Sequence, residues 1–232
     1  MIVERVSAGM VAARDRGVGL SHSIIAEAAM STFRKVNLEA AGRVGQVLND
    51  LYVSCYSFSA ILAAGADASA RLGSSIDYTI ARPLPRRNGT AHSYSFQFYL
   101  RQAFDHAATA AGMQTTWFAS AIVAAADALK PHNYFNRPPA LEVIYHLRNG
   151  IAHGNKFDFT PDCRARMAAH PANTEEWAAS SAELTPFHIT ESLHGSGVLF
   201  DYMGPADITD VLIAGHLYLG KLAQGQIQAR QY

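Results

Sequence analysis

The stretch Tyr145-His146-Leu147-Arg148-Asn149-Gly150-Ile151-Ala152-His153-Gly154 places an arginine, an amide and two imidazoles within ten residues. Charged residues make up only 16% of the chain, against roughly 25% in an average globular domain. A polar cluster of this density, in a chain so poor in charge, indicates a functional site.

On a helix, this stretch and the residues before it divide into two faces at about 100° per residue. One face is apolar and is expected to pack inward; it comprises Val143, Ile144, Leu147 and Ile151. The second face is polar, with spacings of four, three and four residues; it comprises Glu142, His146, Asn149 and His153. Arg148 lies between the two faces, roughly 140° around the helix from His153, a gap that its long side chain can cover.

Apolar residues recur at spacings of three and four through most of the chain, which predicts helices rather than strands. The predicted helices cover residues 2–14, 21–33, 39–64, 67–80, 94–111, 117–129 and 141–154, with a short helix around Trp177 and a last helix over residues 205–222. Gly112 is expected to end one helix, and Thr115 or Thr116 to cap the next. Without an internal repeat or a clear linker, residues 1–232 are expected to form a single domain.

The C-terminal part, residues 161–232, is predicted to extend a helical core formed by residues 1–160. Residues 161–171 are expected to be a connector. Residues 187–191 and 198–202 alternate and are rich in β-forming residues, with glycines between them, which predicts a β-hairpin. The predicted architecture is therefore an all-α bundle with an appended C-terminal β-hairpin and helix.

Residues 81–92 are predicted to form a loop that is rich in proline and in cationic or potentially cationic side chains, namely Arg82, Arg86, Arg87 and His92. Such a loop is either an ordinary solvated segment or a mobile basic arm that contacts phosphates. In the second interpretation, Arg86 and Arg87 are candidate substrate-binding residues.

Composition limits the classes of function. The chain carries 19 basic and 19 acidic residues, so it has no excess positive charge for non-specific capture of nucleic acid, although a local basic groove is compatible with this balance. Cys55 and Cys163 have no metal-like spacing, and neither a disulfide framework nor a bound cofactor is expected. Because the first residues lack a secretory signal and no uncharged apolar run reaches about 18 residues, we expect a soluble cytoplasmic protein without a membrane partner.

The residue types of the polar cluster fit chemistry on a phosphodiester. Arginine is always charged and binds phosphate oxygens through two N–H groups, whereas histidine titrates near neutral pH and can transfer a proton. Arg148 and His153 are sufficient in principle for metal-independent cleavage of RNA. Asn149, one turn before His153, can orient the imidazole or the phosphate.

The same residues have other interpretations. The polar stripe can be a solvated surface, or it can satisfy carbonyl groups within the core. A metal site that uses Glu142, His146 and His153 is a further alternative, although the stripe lacks a known ligand pattern such as His-Glu-x-x-His. Glu142, Tyr145 and His146 flank the central residues and are candidates for substrate binding.

The string Leu147-Arg148-Asn149-Gly150-Ile151-Ala152-His153-Gly154 resembles the signature of the HEPN superfamily (higher eukaryotes and prokaryotes nucleotide-binding). That signature is an arginine followed, after four to six residues, by a histidine, with a polar residue, often asparagine, directly after the arginine. Arg148, Asn149 and His153 match the short form of the motif. Its position near the end of a helix that follows several helical segments supports the resemblance.

The resemblance implies an all-α bundle that forms a homodimer, in which the motifs of the two copies face each other and make one composite cleft. It also implies a metal-independent endoribonuclease of the kind found in toxins, phage defence or RNA processing, with an antitoxin or defence protein as a partner. Arg148 and His153 would carry catalysis, and Asn149 would support them. Some members of the superfamily only bind RNA, nucleotides or proteins, and this is the alternative function.

One branch of the superfamily, which pairs with a nucleotidyltransferase antitoxin, has a tyrosine two residues after the histidine. This chain has Asn155 at that position. Regulation through modification of that tyrosine is therefore not expected here.

Overall fold

The computed structural model describes residues 22–72, 76–77, 79–178 and 184–227, and for residues 22–36 it describes the backbone alone. The helix predicted for residues 2–14 lies outside the described residues. The described part of the chain is mostly helical and has two small sheets of two strands each, which confirms the predicted mainly α class.

Seven right-handed α-helices follow one another along the described residues: α1 His22–Arg71, α2 Phe96–Phe104, α3 Ala107–Leu129, α4 Pro139–Ala152, α5 Pro161–Ala169, α6 Glu175–Ala178 and α7 Pro205–Ala223. The two antiparallel sheets pair β1 Ala81–Pro85 with β2 Ala91–Ser95, and β3 Ala172–Asn173 with β4 His188–Ile189. Short 3-10 helices cover Lys130–His132 and Glu191–Leu193. Between α3 and α4, the helical turn Asn133–Asn136 has positive φ angles and is therefore left-handed.

The core lies where α1, α3, α4 and α7 meet. All four helices contribute to its largest fully buried side chains, which include Leu48, Phe118, Ile122, Leu129, Leu141, Ile144, Leu147, Ile208, Leu212 and Leu219. Helices α1 and α7 run antiparallel, because Gly45 lies opposite Leu219 while Leu48 lies opposite Gly215. A Cβ atom on Gly215 would lie 2.7 Å from Leu48 Cδ2, so this glycine lets the two helices approach closely.

Helix α1 is continuous through segments that the hydrophobic pattern predicts as separate helices. The described residues of the first two segments, 22–33 and 39–64, join into one helix, and the helix predicted for residues 67–80 ends at Arg71. Gly65, which lies between two of the predicted helices, does not interrupt α1, because tertiary packing outweighs its low helix propensity: it packs against the Phe104 ring.

The predicted helix over residues 94–111 is also wrong in its bounds, since α2 ends at Phe104 and α3 begins at Ala107. Thr115 and Thr116 lie inside α3, where their hydroxyls donate to the carbonyls four residues earlier at 2.9 and 2.8 Å instead of capping a helix. Because threonine can bond in either way, its presence does not fix a helix start.

Residues 81–92, predicted to form a loop, belong to the β1–β2 hairpin instead. A hydrogen bond of 3.0 Å from the Gly89 N–H to the Arg86 carbonyl closes its turn. Gly89 has a φ of 83°, a conformation that glycine adopts without strain. Pro83 and Pro85 argue against a central strand, but they are tolerated here because β1 lies at the edge of a two-stranded sheet.

The hairpin predicted for residues 187–191 and 198–202 does not form. Strand β4 pairs with β3 instead, and residues 198–202 form turns. The physical reason is a competing partner: the Val198 N–H donates to the Asn155 carbonyl at 3.0 Å, so the chain after α4 takes the place of the second strand.

Residues 161–171, predicted to be a connector, contain helix α5. The Thr160 hydroxyl caps this helix by accepting a hydrogen bond of 3.3 Å from the Cys163 N–H. Helices α6 and α7 confirm the short helix around Trp177 and the last helix. Helix α7 is not an appendage, however, because it buries one side in the core against α1 and α4.

The outer face of α1 includes several large apolar side chains. Within the described residues, Asn37–Arg71 is the one helical segment long and apolar enough to cross a membrane, with a mean hydropathy of 1.3 over an 18-residue window of which 17% is buried. Val53, Tyr56 and Ile61 are exposed on this segment. Core and interface helices of soluble proteins have similar compositions, so the cytoplasmic location stays a prediction.

Candidate functional site at the end of helix α4

Helix α4 carries the polar cluster, as its sequence predicts. Pro138 is its N-cap, and Pro139 occupies the first turn, where a missing N–H costs nothing. The helix ends one residue before His153, which is its C-cap, with φ −93° and ψ 33°, and which donates its N–H to the Asn149 carbonyl at 3.0 Å. His153 therefore lies where the chain leaves the helix, before Gly154 with a φ of 78°.

The chain after α4 is held by the segment that precedes α7. The Asn155 side chain accepts a hydrogen bond of 2.8 Å from the Leu199 N–H and donates one of 3.1 Å to the Leu199 carbonyl. The Phe157 N–H donates to the Ser196 carbonyl at 3.0 Å. Asn155 has a φ of 63°, which asparagine adopts more readily than most residues. These bonds fix the end of the motif against the bundle.

Gly150 lies inside the motif, where α4 meets this segment. A Cβ atom there would lie 2.5 Å from Cγ2 of the fully buried Val198 and 3.2 Å from the Lys156 carbonyl oxygen. We expect Gly150→Ala to lower the free energy of unfolding by about 1 kcal/mol, because overpacking costs roughly 1–3 kcal/mol and outweighs the roughly 1 kcal/mol that alanine gains in a helix.

Urea denaturation measures this difference, with Gly220→Ala in α7 as the matched control. No atom lies within 4 Å of a Cβ added at Gly220, so that variant should be as stable as the wild type or more stable. Equal effects of the two substitutions would contradict the crowding at Gly150.

The three residues of the predicted catalytic group lie within six positions at the C-terminal end of α4, with His153 at the C-cap. Arg148 and Asn149 are half-buried, and His153 is exposed. Among the described residues, their side chains form no hydrogen bond or ion pair with the protein. By helix geometry, the Cα atoms of Arg148 and His153 are roughly 9 Å apart, a span that a phosphate group between the two side chains can bridge.

Arg148 lies near the buried phenol of Tyr134, which belongs to the left-handed turn before α4. Burial raises the pKa of Tyr134 to about 12, and the positive charges of Arg148 and Arg166 oppose this rise. At neutral pH the phenol is therefore protonated, so it can act as a hydrogen-bond donor next to the site.

Glu142 and Tyr145, both predicted to bind substrate, are in contact with Arg166 of α5. The fully buried Glu142 carboxylate accepts hydrogen bonds from Arg166 Nε at 2.7 Å and from Nη2 at 2.6 Å. The same guanidinium stacks on the Tyr145 ring, 3.4 Å from its centroid. A buried carboxylate requires a paired charge, so Glu142 is not part of a surface stripe, and one face of the Tyr145 ring is covered by Arg166.

His146, the remaining flanking candidate, is buried as well. Its ring packs edge-on against Tyr145 and Phe159, and its Nδ1 lies 3.6 Å from the Cys163 sulfur. Burial lowers the pKa of His146 to about 4, and the positive charge of Arg166 adds to this shift. The imidazole is therefore uncharged at neutral pH, and the structure separates it from the exposed His153.

The buried His146 makes stability depend on pH. Its pKa is about 4 in the fold, against 6.5 for a free side chain, so between these values the unfolded chain binds more protons. We expect the free energy of unfolding to fall as pH decreases from 6.5 to 4, by up to about 3 kcal/mol from this residue, since one pKa unit corresponds to roughly 1.4 kcal/mol. Above pH 6.5 the contribution is fully present.

Urea denaturation at a series of pH values tests this expectation. His146→Phe keeps an aromatic ring against Tyr145 and Phe159 but cannot bind a proton, so its stability should fall less steeply over the same range. Identical slopes for the wild type and the variant would show that other groups cause the acid sensitivity.

The alternative metal site of Glu142, His146 and His153 is not assembled, because the first two residues are buried and the third is exposed beyond the helix end. In the part of the chain that the structure describes, no group of three or more His, Cys, Asp or Glu side chains is arranged to hold a metal ion.

Arg86 and Arg87, the other candidate substrate contacts, lie on a different element from the motif. They occupy the turn of the β1–β2 hairpin and are exposed. The structure thus divides the predicted site residues into a half-buried to exposed group at the end of α4, a group in contact with α5 and an exposed basic pair on the hairpin.

Sequence reasoning missed Arg166, Tyr134 and Asn155. The sequence does contain a sign of the Arg166 contact, because an acidic residue on a largely apolar helix, such as Glu142, needs a cationic partner when it is buried. The sequence also indicates the turn at Asn155, since glycine followed by asparagine is typical of chain reversals with positive φ. We find no signal for Tyr134, whose position depends on the left-handed turn.

Comparison of the chain with protein-family models, curated proteins and solved structures found no match. The resemblance to the HEPN superfamily therefore rests on the motif residues themselves.

Proposed function

We propose that the protein is a metal-independent endoribonuclease of HEPN type, in which Arg148 and His153 cleave RNA with the support of Asn149. The main observation in favour is that these three residues lie within six positions at the C-terminal end of α4 and that their side chains are unpaired among the described residues. The neighbouring Glu142, in contrast, is fully paired with Arg166. Polar side chains with a purely structural role usually have hydrogen-bond partners within the protein, whereas those that bind a ligand are often unpaired until the ligand is present.

In the proposed reaction, the ribose 2′-oxygen attacks the adjacent phosphorus, and the bond from phosphorus to the 5′-oxygen breaks. His153 accepts the proton of the 2′-hydroxyl or donates one to the leaving 5′-oxygen. Arg148 binds the non-bridging phosphate oxygens and stabilises the negative charge that develops on them. The products are a 2′,3′-cyclic phosphate and a 5′-hydroxyl.

The reaction needs one group that accepts a proton and another that donates one, whereas the end of α4 offers a single exposed imidazole. We therefore propose that a second copy of the chain supplies the other imidazole, and that two α4 ends form one cleft. Ala152 and Gly154 on either side of His153 are small and exposed, which favours the close approach of a second copy. The proposed role is that of a toxin, a phage-defence nuclease or an RNA-processing enzyme.

Incubation of the full chain with RNAs of varied sequence in a buffer that contains EDTA tests the proposal. We expect discrete fragments. RNAs that are bound but stay intact would identify the non-catalytic binding module instead, and cutting that depends on a divalent metal ion would refute the proton-transfer mechanism.

A further inference from the structure

The β1–β2 hairpin projects from the helical bundle. All residues from 81 to 93 are exposed, and burial begins only at Tyr94. The base of the hairpin is anchored, because the Phe96 N–H donates to the Ile80 carbonyl at 3.0 Å and the Gln97 side chain accepts from the Asp77 N–H at 2.9 Å. A fixed base with an uncovered ribbon is suited to contact with another molecule.

The pairing register gives the ribbon two different faces. Residues directly opposite each other in an antiparallel pair share a face. One face joins the pairs Arg82–Tyr94 and Leu84–His92, and the other joins the pairs Ala81–Ser95, Pro83–Ser93 and Pro85–Ala91. We call the first set, Arg82, Leu84, His92 and Tyr94, the arginine–tyrosine face. Among the paired residues, the large non-proline side chains all lie on this face, and the opposite face carries only alanine, serine and proline.

The hairpin concentrates positive charge in a chain that is neutral overall. No acidic residue occurs between Asp77 and Asp105, and this interval contains Arg82, Arg86, Arg87 and Arg101. Asp105 pairs with Arg101 at 3.2 Å, and Asp77 accepts hydrogen bonds from Thr79. Among the described residues, the side chains of Arg86 and Arg87 form no ion pair or hydrogen bond. Three arginines of the hairpin are therefore free of acidic partners.

Aromatic rings continue the arginine–tyrosine face onto α2. The Arg82 guanidinium lies 5.5 Å from the centroid of the Phe96 ring, and the Tyr94 and Tyr99 rings meet edge to face at 5.9 Å. Tyr99 is 56% exposed. Accessible rings beside arginines that have no acidic partner are what proteins use for single-stranded nucleic acid, since bases stack on rings and phosphates bind guanidinium groups.

We propose that the hairpin is an arm that binds single-stranded RNA, with Arg82, Arg86 and Arg87 on the phosphates and with bases stacked on Tyr94 and Tyr99. The choice of RNA rests on the endoribonuclease proposed above. The arm gives an otherwise neutral protein the local positive charge that it needs to hold a polyanion.

Two features of the ribbon weigh against other partners. Pro83 and Pro85 lack N–H groups, so β1 is a poor template for an added peptide strand. Leu84 is the one large aliphatic side chain on the ribbon, which is little apolar area for insertion into a lipid surface.

Fluorescence anisotropy with a labelled single-stranded RNA of mixed sequence tests the arm. The measurement uses the full chain with His153→Ala, so that the RNA is not cut. We expect Arg86→Gln/Arg87→Gln to weaken binding and to make the slope of log affinity against log salt less steep by about 1.4, since each phosphate contact on a single strand contributes roughly 0.7. The double variant Arg43→Gln/Lys130→Gln, which removes equal charge from exposed positions on the bundle, should change neither quantity.

Tyr94→Ala separates stacking from charge. We expect it to weaken RNA binding about tenfold at an unchanged salt slope, whereas Tyr56→Ala, at an exposed tyrosine of α1, should have no effect. Unaltered affinity and salt slope in Arg86→Gln/Arg87→Gln would overturn the arm, as would binding of the parent to phosphatidylserine vesicles but not to RNA.

Different results would refute the proposed arm and the proposed nuclease. RNA that is bound through the hairpin but never cut by the wild-type chain in EDTA would refute the nuclease and support the arm. RNA that is cut equally well, with the same KM, by the wild type and by Arg86→Gln/Arg87→Gln would refute the arm and leave the nuclease standing.

Discussion

Arg148→Ala and His153→Ala are each expected to slow RNA cleavage about a hundredfold or more. Removal of a general acid or base typically costs roughly 10²–10⁴ in rate, and removal of a group that stabilises developing charge roughly 10²–10³. Both side chains are unpaired among the described residues, so their loss should leave the fold unchanged. Initial rates of cleavage of one labelled RNA in EDTA, with circular dichroism of each variant, measure both effects.

Matched controls are available at exposed positions outside the motif. Arg43→Ala on α1 and His188→Ala on β4 remove the same side-chain types and should cleave at the wild-type rate. Arg148→Lys keeps the charge but loses the two-pronged contact with phosphate, so we expect an intermediate rate. Wild-type rates in both Arg148→Ala and His153→Ala would place the chemistry elsewhere.

Arg166→Ala is expected to lower the free energy of unfolding by about 3–5 kcal/mol, because removal of one partner of a buried ion pair leaves an uncompensated charge. The Glu142 side chain is 0% exposed and that of Arg166 is 16% exposed, so water screens this pair little. The substitution also removes the guanidinium from the Tyr145 ring. Urea denaturation at neutral pH, with the midpoint and the slope reported separately, measures the loss.

The neighbouring Arg164 provides the control for Arg166. It pairs with Glu191 at 2.7 Å, but the two side chains are 42% and 68% exposed, so Arg164→Ala should cost less than about 1 kcal/mol. The double variant Glu142→Leu/Arg166→Met removes both buried charges and should be more stable than Arg166→Ala alone. If Arg164→Ala and Arg166→Ala are equally destabilising, the buried pair does not hold α5 on α4.

The helix that carries the motif was predictable because its signals are local. The apolar spacing of Val143, Ile144 and Leu147 places one face in the core, and the two prolines before Ala140 mark the start. The placement of Arg148 and His153 near the helix end follows from the same spacing. Whether these residues act on RNA is a chemical question that the spacing alone leaves as a proposal.

Other parts of the fold depend on distant contacts and could not be derived from local patterns. The burial of Glu142 and His146 requires α5, which brings Arg166 and Cys163 over them from a segment that looks like a connector. The missing C-terminal hairpin has a similar cause, since Asn155 takes the partner that the second strand would need. In both cases the sequence pattern is present, but contacts with a distant segment determine which structure the residues adopt.

Analysis of the ends of the RNA fragments tests the central claim most directly. The wild-type chain, incubated with RNA in EDTA, should produce 5′ fragments that end in a 2′,3′-cyclic phosphate and 3′ fragments that begin with a 5′-hydroxyl. An RNA with a 2′-deoxyribose at the cleavage position should stay intact, because the attacking oxygen is absent. Fragments with 3′-hydroxyl and 5′-phosphate ends, or cleavage of the deoxy-substituted RNA, would contradict 2′-hydroxyl attack promoted by Arg148 and His153.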